Sequence, residues 1–180
     1  MKKKVSASCG IVGLLAVYLS IGVSIILSPW FSWQRNALSD LGHAVKSEVA
    51  PIFNLGLLLG GFFIIVYVLT ALRKDAKYTS SCLVVSAFLL QLVATFDQSY
   101  GFIHGAVSVL FFVSIWIAAL VNALEKKSVQ ALIAFIISFG IWVLYGLNVY
   151  RAGIAVPEII SFTAVAALLM LSVIRFFSTK

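Results

Sequence analysis

SCGIVGLLAVYLSIGVSIIL, residues 8–27, decides the class of fold. It carries no charge and is long enough to cross a hydrocarbon layer as a helix, which takes roughly 20 residues. Met1-Lys2-Lys3-Lys4 precedes it and Pro29 follows Ser28. A basic start before an apolar run resembles a secretion signal. The run is too long for such a core, and Pro29 stands where a small-residue cleavage site is wanted, so a retained first helix is expected. The whole chain has the same character. Of its 180 residues, 62% are hydrophobic and 11% charged, against about a quarter charged in soluble domains.

Five more apolar runs follow, bounded by charges or turn residues: residues 49–72, 79–96, 102–124, 128–149 and 155–177. In hydrocarbon a chain must satisfy its own backbone hydrogen bonds, so each run is expected to be a helix. The runs lack the period-two alternation of an outer-membrane barrel. The fold class expected is all-α: a polytopic membrane protein of the cytoplasmic membrane, with residues 1–180 forming one compact six-helix bundle. Cys9 and Cys82 lie within apolar runs near basic flanks and imply no disulfide framework. Gly56 with Gly60, and Gly101 with Gly105, have the four-residue spacing that permits close helix crossing. No internal repeat is visible, which weakens an inverted-repeat transporter.

The charges sort by side. Lys2, Lys3, Lys4, Arg73, Lys74, Lys77, Lys126, Lys127, Arg175 and Lys180 flank one set of run ends. Arg35, Lys46 and Arg151 flank the other. This bias predicts both termini in the cytoplasm. It also accounts for the net charge of +7 without nucleic acid, because the basic residues form no groove. Asp40, Glu48, Asp97, Glu158, His43 and His104 all fall on the outer side, whereas Asp75 and Glu125 lie among lysines on the inner side.

Polar chemistry is densest at Arg35-Asn36-Ala37-Leu38-Ser39-Asp40-Leu41-Gly42-His43. In helical projection Trp30, Trp33, Ala37, Leu41 and Ala44 or Val45 fall on one side, and Arg35, Asn36, Ser39, Asp40, His43 and Lys46 on the other. That pattern predicts a short interfacial helix in the first outer loop, its tryptophans at headgroup level. Ser39 and His43 would share a face, with Asp40 adjacent. Asp97 is expected to cap a helix end. His104 and Ser108 would lie on one face of the fourth helix, turned inward. Glu158, just after Pro157, would sit in the dipole field of the sixth helix.

Asn36-Ala37-Leu38-Ser39-Asp40-Leu41-Gly42, followed by Asn54-Leu55-Gly56 and Gly60-Gly61, resembles the signature of a prokaryotic membrane family, domain of unknown function 998. The resemblance covers most of the chain and implies about six helices, with His104 and Ser108 matching a fourth-helix pair and Glu158 a last-helix glutamate. It implies no activity. Asp97-Gln98-Ser99-Tyr100 stands where many members carry a proline-containing motif. In ingredients alone, the chain is also similar to the zinc-dependent intramembrane hydrolases of the alkaline ceramidase and adiponectin-receptor type. Those have seven helices and three histidines; this chain has two histidines.

Three functions follow from these residues. One is a polar outer pocket of Arg35, Asn36, Ser39, Asp40, His43, Asp97, His104, Ser108 and Glu158, holding a membrane-lipid headgroup, small solute or ion. A transport route through the core would have to rely on Gln91, Asn122, Asn54 and hydroxyls, since no span carries a charge near its middle. The second is a metal-dependent hydrolase or transferase acting on a lipid. Zinc accepts two histidines and a carboxylate with water in the open position, which makes His43, His104 and Asp97 candidate ligands. Asp40 and Glu158 are alternative carboxylates. Ser39, Asp40 and Asp97 are the candidate catalytic groups. The third is a structural or accessory subunit in which these side chains only cap helices and tie loops.

Overall fold

The computed structural model describes the backbone of residues 2–178 and the side chains of residues 5–178. Lys180 and the side chains of Lys2, Lys3 and Lys4, four of the basic groups sorted above, lie outside the described residues. Six helices form: α1 Lys2–Ile26, α2 Ala50–Thr70, α3 Lys77–Thr95, α4 Phe102–Lys126, α5 Val129–Gly146 and α6 Ala155–Ser178. All six are long and apolar enough to span a membrane, at a rise of about 1.5 Å per residue. Their outward faces are apolar as well, with Leu19, Phe62, Val109, Ile136 and Ile174 exposed. The protein is a multi-pass membrane protein.

Local chemistry sets the ends. Pro51 starts α2, where its missing N–H costs no helical bond. Glu125 of α4 caps α3 from across the bundle, accepting from the Tyr78 N–H at 3.0 Å, the Thr79 N–H at 2.8 Å and the Thr79 hydroxyl at 2.7 Å. Lys127 turns left-handed, at φ 47°, to close α4, and the Ser128 hydroxyl accepts from the Ala131 N–H at 3.2 Å to open α5.

Successive helices run antiparallel, and α1, α2, α3, α4 and α6 close into a ring, with α6 touching both α1 and α4. α5 packs chiefly against the α4–α6 seam and buries the smallest share of its residues. Two apolar clusters fill the ring. One, at the end where the Ser39-Asp40-Leu41-Gly42 box lies, includes Val17, Leu41, Phe53, Phe111 and Phe112. The other, at the opposite end, includes Leu14, Tyr67, Val68, Leu169 and Val173.

Between apolar helices, hydroxyls set the register. Tyr18 donates to Thr163 at 3.0 Å, Tyr67 and Ser172 meet at 2.7 Å, and the Trp116 indole donates to Ser161 at 3.2 Å. Ser161 also meets Ser138 of α5 at 2.5 Å. All four contacts end on α6. In hydrocarbon such bonds contribute about 0.6 kcal/mol each on average, so they select a register more than they drive assembly.

Two expectations are corrected. The interfacial helix over residues 30–46 does not form. That segment is a series of turns with one 3-10 helix, Leu38–Gly42. Leu38 and Leu41 are buried while Trp30, Trp33 and Val45 remain exposed. The physical reason is local competition: the side chains of Asn36 and Asp40 bond to nearby main chain, as short polar residues do at helix-breaking turns. The second correction concerns the glycine pairs. A Cβ at Gly60 would collide with Val17 and lie 3.0 Å from the Gly13 carbonyl oxygen, and one at Gly56 would collide with Ser20. Gly56 and Gly60 therefore let α1 and α2 cross closely. Gly105 faces open space, and Gly101, also in the open, serves a turn at φ +55°.

Gly60→Leu is expected to destabilise the bundle by about 1–3 kcal/mol through overpacking. Gly105→Ala should stabilise it by about 0.5–1 kcal/mol through helix propensity. Denaturant midpoints in detergent check both; equal losses at the two sites would refute the close crossing.

Candidate functional site

At one end of the ring, the segment between α1 and α2 folds inward as a plug. Its main chain is held by three acidic side chains from three places. Asp40 accepts through Oδ2 from the Asn36 Nδ2 at 2.8 Å and the Ala37 N–H at 3.0 Å. Glu158, buried in the first turn of α6, accepts through Oε2 from the Leu38 N–H at 2.6 Å. Asp97 accepts through Oδ1 from the Ala44 N–H at 3.2 Å and from the Ser99 N–H at 2.8 Å, where it caps a 3-10 turn over Gln98–Tyr100.

Further bonds seat the plug. Asn54 of α2 donates to the Gly42 carbonyl at 2.8 Å, and Ser47 donates to the Leu41 carbonyl at 2.7 Å. The Gly153 and Ala155 N–H groups donate to the Trp33 and Asn36 carbonyls, both at 2.9 Å. A Cβ at Gly153 would lie 2.8 Å from the Asn36 nitrogen and one at Gly42 would lie 2.5 Å from the Asn54 Oδ1. Both glycines are needed for that close approach.

The plug separates two spaces. Outside it lies an open cup of about 300 Å3 lined by Trp30, Asn36, Asp40, His43, Lys46 and Gln98. Beneath it lies a cavity of about 60 Å3 walled by apolar residues of α1, α2, α3, α4 and α6, into which Ser39, Ser108 and Glu158 bring the polar atoms. Ser39 joins the two sides, donating to the Gln98 Oε1 at 3.4 Å.

The expected site residues divide between these spaces. Asn36, Asp40 and His43 meet in the cup, whereas Ser39, Ser108 and Glu158 face the inner cavity. Arg35 is exposed and lines neither space. Asp97 sits behind the cup as a main-chain tie. His104 is buried, with Nδ1 against the Phe96 carbonyl at 2.8 Å and Nε2 against the Ser108 hydroxyl at 3.3 Å. The carbonyl oxygen can only accept, so Nδ1 carries a proton and donates to it. Both ring nitrogens are thus engaged. His43 accepts the Val45 N–H on Nδ1 at 3.3 Å.

Among the described residues no three His, Cys, Asp or Glu side chains, His43, His104 and Asp97 included, are grouped to hold a metal ion. Ser39 bonds to an amide, with no histidine or carboxylate partner to activate it. Trp30, Lys46 and Gln98 were missed as lining residues. Trp30 and Lys46 stand in the same loop as the box, but Gln98 reaches the cup from the α3–α4 connection and had no local signal beyond its neighbour Asp97.

Burial alone would raise the Asp97 pKa. The Ser99 and Ala44 N–H groups, the Ser99 hydroxyl and the charge of His43 outweigh it and hold the carboxyl below its ordinary value. A carboxyl depressed in the fold adds stability above its unfolded pKa and loses it as pH falls through the folded one. Wild-type protein should therefore lose stability as pH drops from about 5 toward 3, and Asp97→Asn should flatten that decline. Thermal unfolding in detergent across this range checks it; parallel curves for the two proteins would exclude Asp97 as the source.

Compared with known proteins, the chain has no match among curated proteins or solved structures. A family model described as protein of unknown function (DUF998) matches residues 11–175, which take in α2 to α5, most of α1 and α6, the plug and the cup. The chain belongs to that family.

Proposed function

We propose that this protein sits in the cytoplasmic membrane with both termini inside and holds a small zwitterion, foremost a lipid headgroup, in the cup at its outer face. The orientation is supported by the basic residues. Arg73, Lys74, Lys77, Lys126, Lys127 and Arg175 all fall at the helix ends opposite the plug, as the positive-inside bias requires.

One observation carries the binding: the cup joins unlike charges with an indole in a space of about 300 Å3. Asp40 matches an ammonium group, and a carboxylate with two bonds on one oxygen keeps capacity for another donor. Lys46 and His43 match a phosphate. Trp30 offers an aromatic face at headgroup level. A hydrolytic role draws less support, since Ser39 bonds to an amide and the candidate zinc ligands are not grouped as a set of three. The accessory-subunit alternative draws on a different observation: Asp40, Asp97 and Glu158 all serve as ties to main chain.

Short-chain phosphatidylethanolamine added to detergent-solubilised protein should bind with 1:1 stoichiometry by native mass spectrometry. Asp40→Asn and Lys46→Gln should each weaken it about tenfold, as expected for a lost charge-assisted bond. Arg35→Gln, off the cup, should leave it intact. Loss of equal size in all three variants would reduce the effect to surface charge and sink the proposal. For orientation, a Val45→Cys variant, in a background with Cys9 and Cys82 replaced, should react with a membrane-impermeant thiol reagent on intact cells. Protection there, with labelling restored after denaturation, would invert the topology.

A further inference from the structure

The end opposite the plug also carries a cavity. A basin of about 270 Å3 opens there between the α2–α3 connection, the end of α4, the start of α5 and the end of α6. Lys126, Arg175, Asn122 and Gln130 contribute donors to its wall, and Leu168 and Phe176 form part of an apolar floor. Leu171 both lines the basin and is exposed on the apolar outer face of the bundle. The basin thus opens where the polar end meets the lipid-facing surface. A smaller space of about 30 Å3, sharing Leu72, Asn122, Leu168 and Ser172 with it, continues into the ring.

The electrostatics of the basin are one-sided. Lys126 and Arg175 line it, and Arg73, Lys74, Lys77 and Lys127 stand at the same end. Of the two acidic residues nearby, Glu125 is engaged at the start of α3, accepting from two main-chain N–H groups and the Thr79 hydroxyl. Among the described residues that line the basin, Asp75 is the one anion. It holds Lys126 by an ion pair at 3.2 Å, with a second bond at 2.9 Å from Lys126 Nζ to the Asp75 carbonyl. That pair is partly exposed and therefore contributes little to stability. A doubly hydrogen-bonding anion could compete for the lysine.

We infer that this basin is a second binding site, separate from the cup, and that it takes a phosphate-bearing group held by Lys126 and Arg175. Guanidinium and ammonium groups around a concave, amide-lined wall match phosphate oxygens. The adjoining apolar surface favours a phosphate attached to an acyl chain. Anionic headgroups are bound in comparable basic pockets between membrane helices. Asp75 then acts as the competitor that the ligand displaces from Lys126.

The test uses full-length protein in detergent, titrated with short-chain phosphatidylglycerol and read by native mass spectrometry. Arg175→Gln and Lys126→Gln should each weaken binding about fivefold. Asp75→Asn should strengthen it severalfold, because it frees Lys126; a merely structural ion pair would give no such gain. The double variant Arg73→Gln/Lys74→Gln, outside the basin, should change it less than about twofold. Arg175 is exposed, so its variant remains informative if Lys126→Gln fails to fold. Glycerol phosphate that displaces the lipid would identify the phosphate alone as the ligand chemistry, and failure to displace it would assign the site to a lipid. Equal weakening by the Arg73/Lys74 variant, or unchanged or weaker binding in Asp75→Asn, would overturn the site.

Discussion

Hydrocarbon offers no hydrogen bonds, and that constraint shapes both the helices and what joins them. The helices satisfy their own main chain. The segment between α1 and α2 cannot, because it forms only one short 3-10 helix and folds into the mouth of the ring. Its exposed N–H groups are met by side chains instead: Asp40 from within the segment, Asp97 from the α3–α4 connection and Glu158 from α6. A buried donor left unmet costs about 1–3 kcal/mol. The acidic residues that look like chemistry in the sequence are therefore also the joints of the plug.

Those joints leave the plug two-sided. Its polar edge, with Asp40 and His43, faces the open cup; Leu38 and the hydroxyl of Ser39 face the small apolar cavity below. The Ser39–Gln98 bond crosses between them. Glu158 is the one carboxylate on the inner side of the plug, and it is also tied to the plug's main chain. Any movement of the plug would have to break that bond first. The cavity below is lined by all five ring helices and by none of α5, so the plug's position and the packing of the ring are linked.

The helices were legible because length and hydropathy are local properties; each apolar run is a helix within a few residues. The glycine spacing was less informative. Gly56 and Gly60 touch α1, while Gly101 and Gly105 have the same spacing and touch nothing, because spacing does not say which face meets a neighbour. The loop misled because a helical projection assumes helical backbone, and Asn36 and Asp40 divert their own main chain into turns. His43 and His104 fall on the same side in the sequence but have different surroundings: His104 bonds to Phe96 and Ser108, and His43 faces the cup. Sidedness can be counted from charges, but convergence depends on rotation about each helix axis.

The parallel course of α4 and α6 carries a consequence for how the chain is made. Two neighbours that run the same way cannot be joined by a short turn, so α5 is the return leg between them, and it lies outside because its neighbours occupy the ring. During synthesis α5 emerges with α4 already in place and α6 still unmade. It must enter the bilayer with the larger part of its final contacts missing. Its sequence, VQALIAFIISFGIWVLYG, contains no charged residue to hinder that step. α6, made after these neighbours, brings the hydroxyls of Ser161, Thr163 and Ser172 that register α1, α2, α4 and α5, so those contacts form only once α6 has been made.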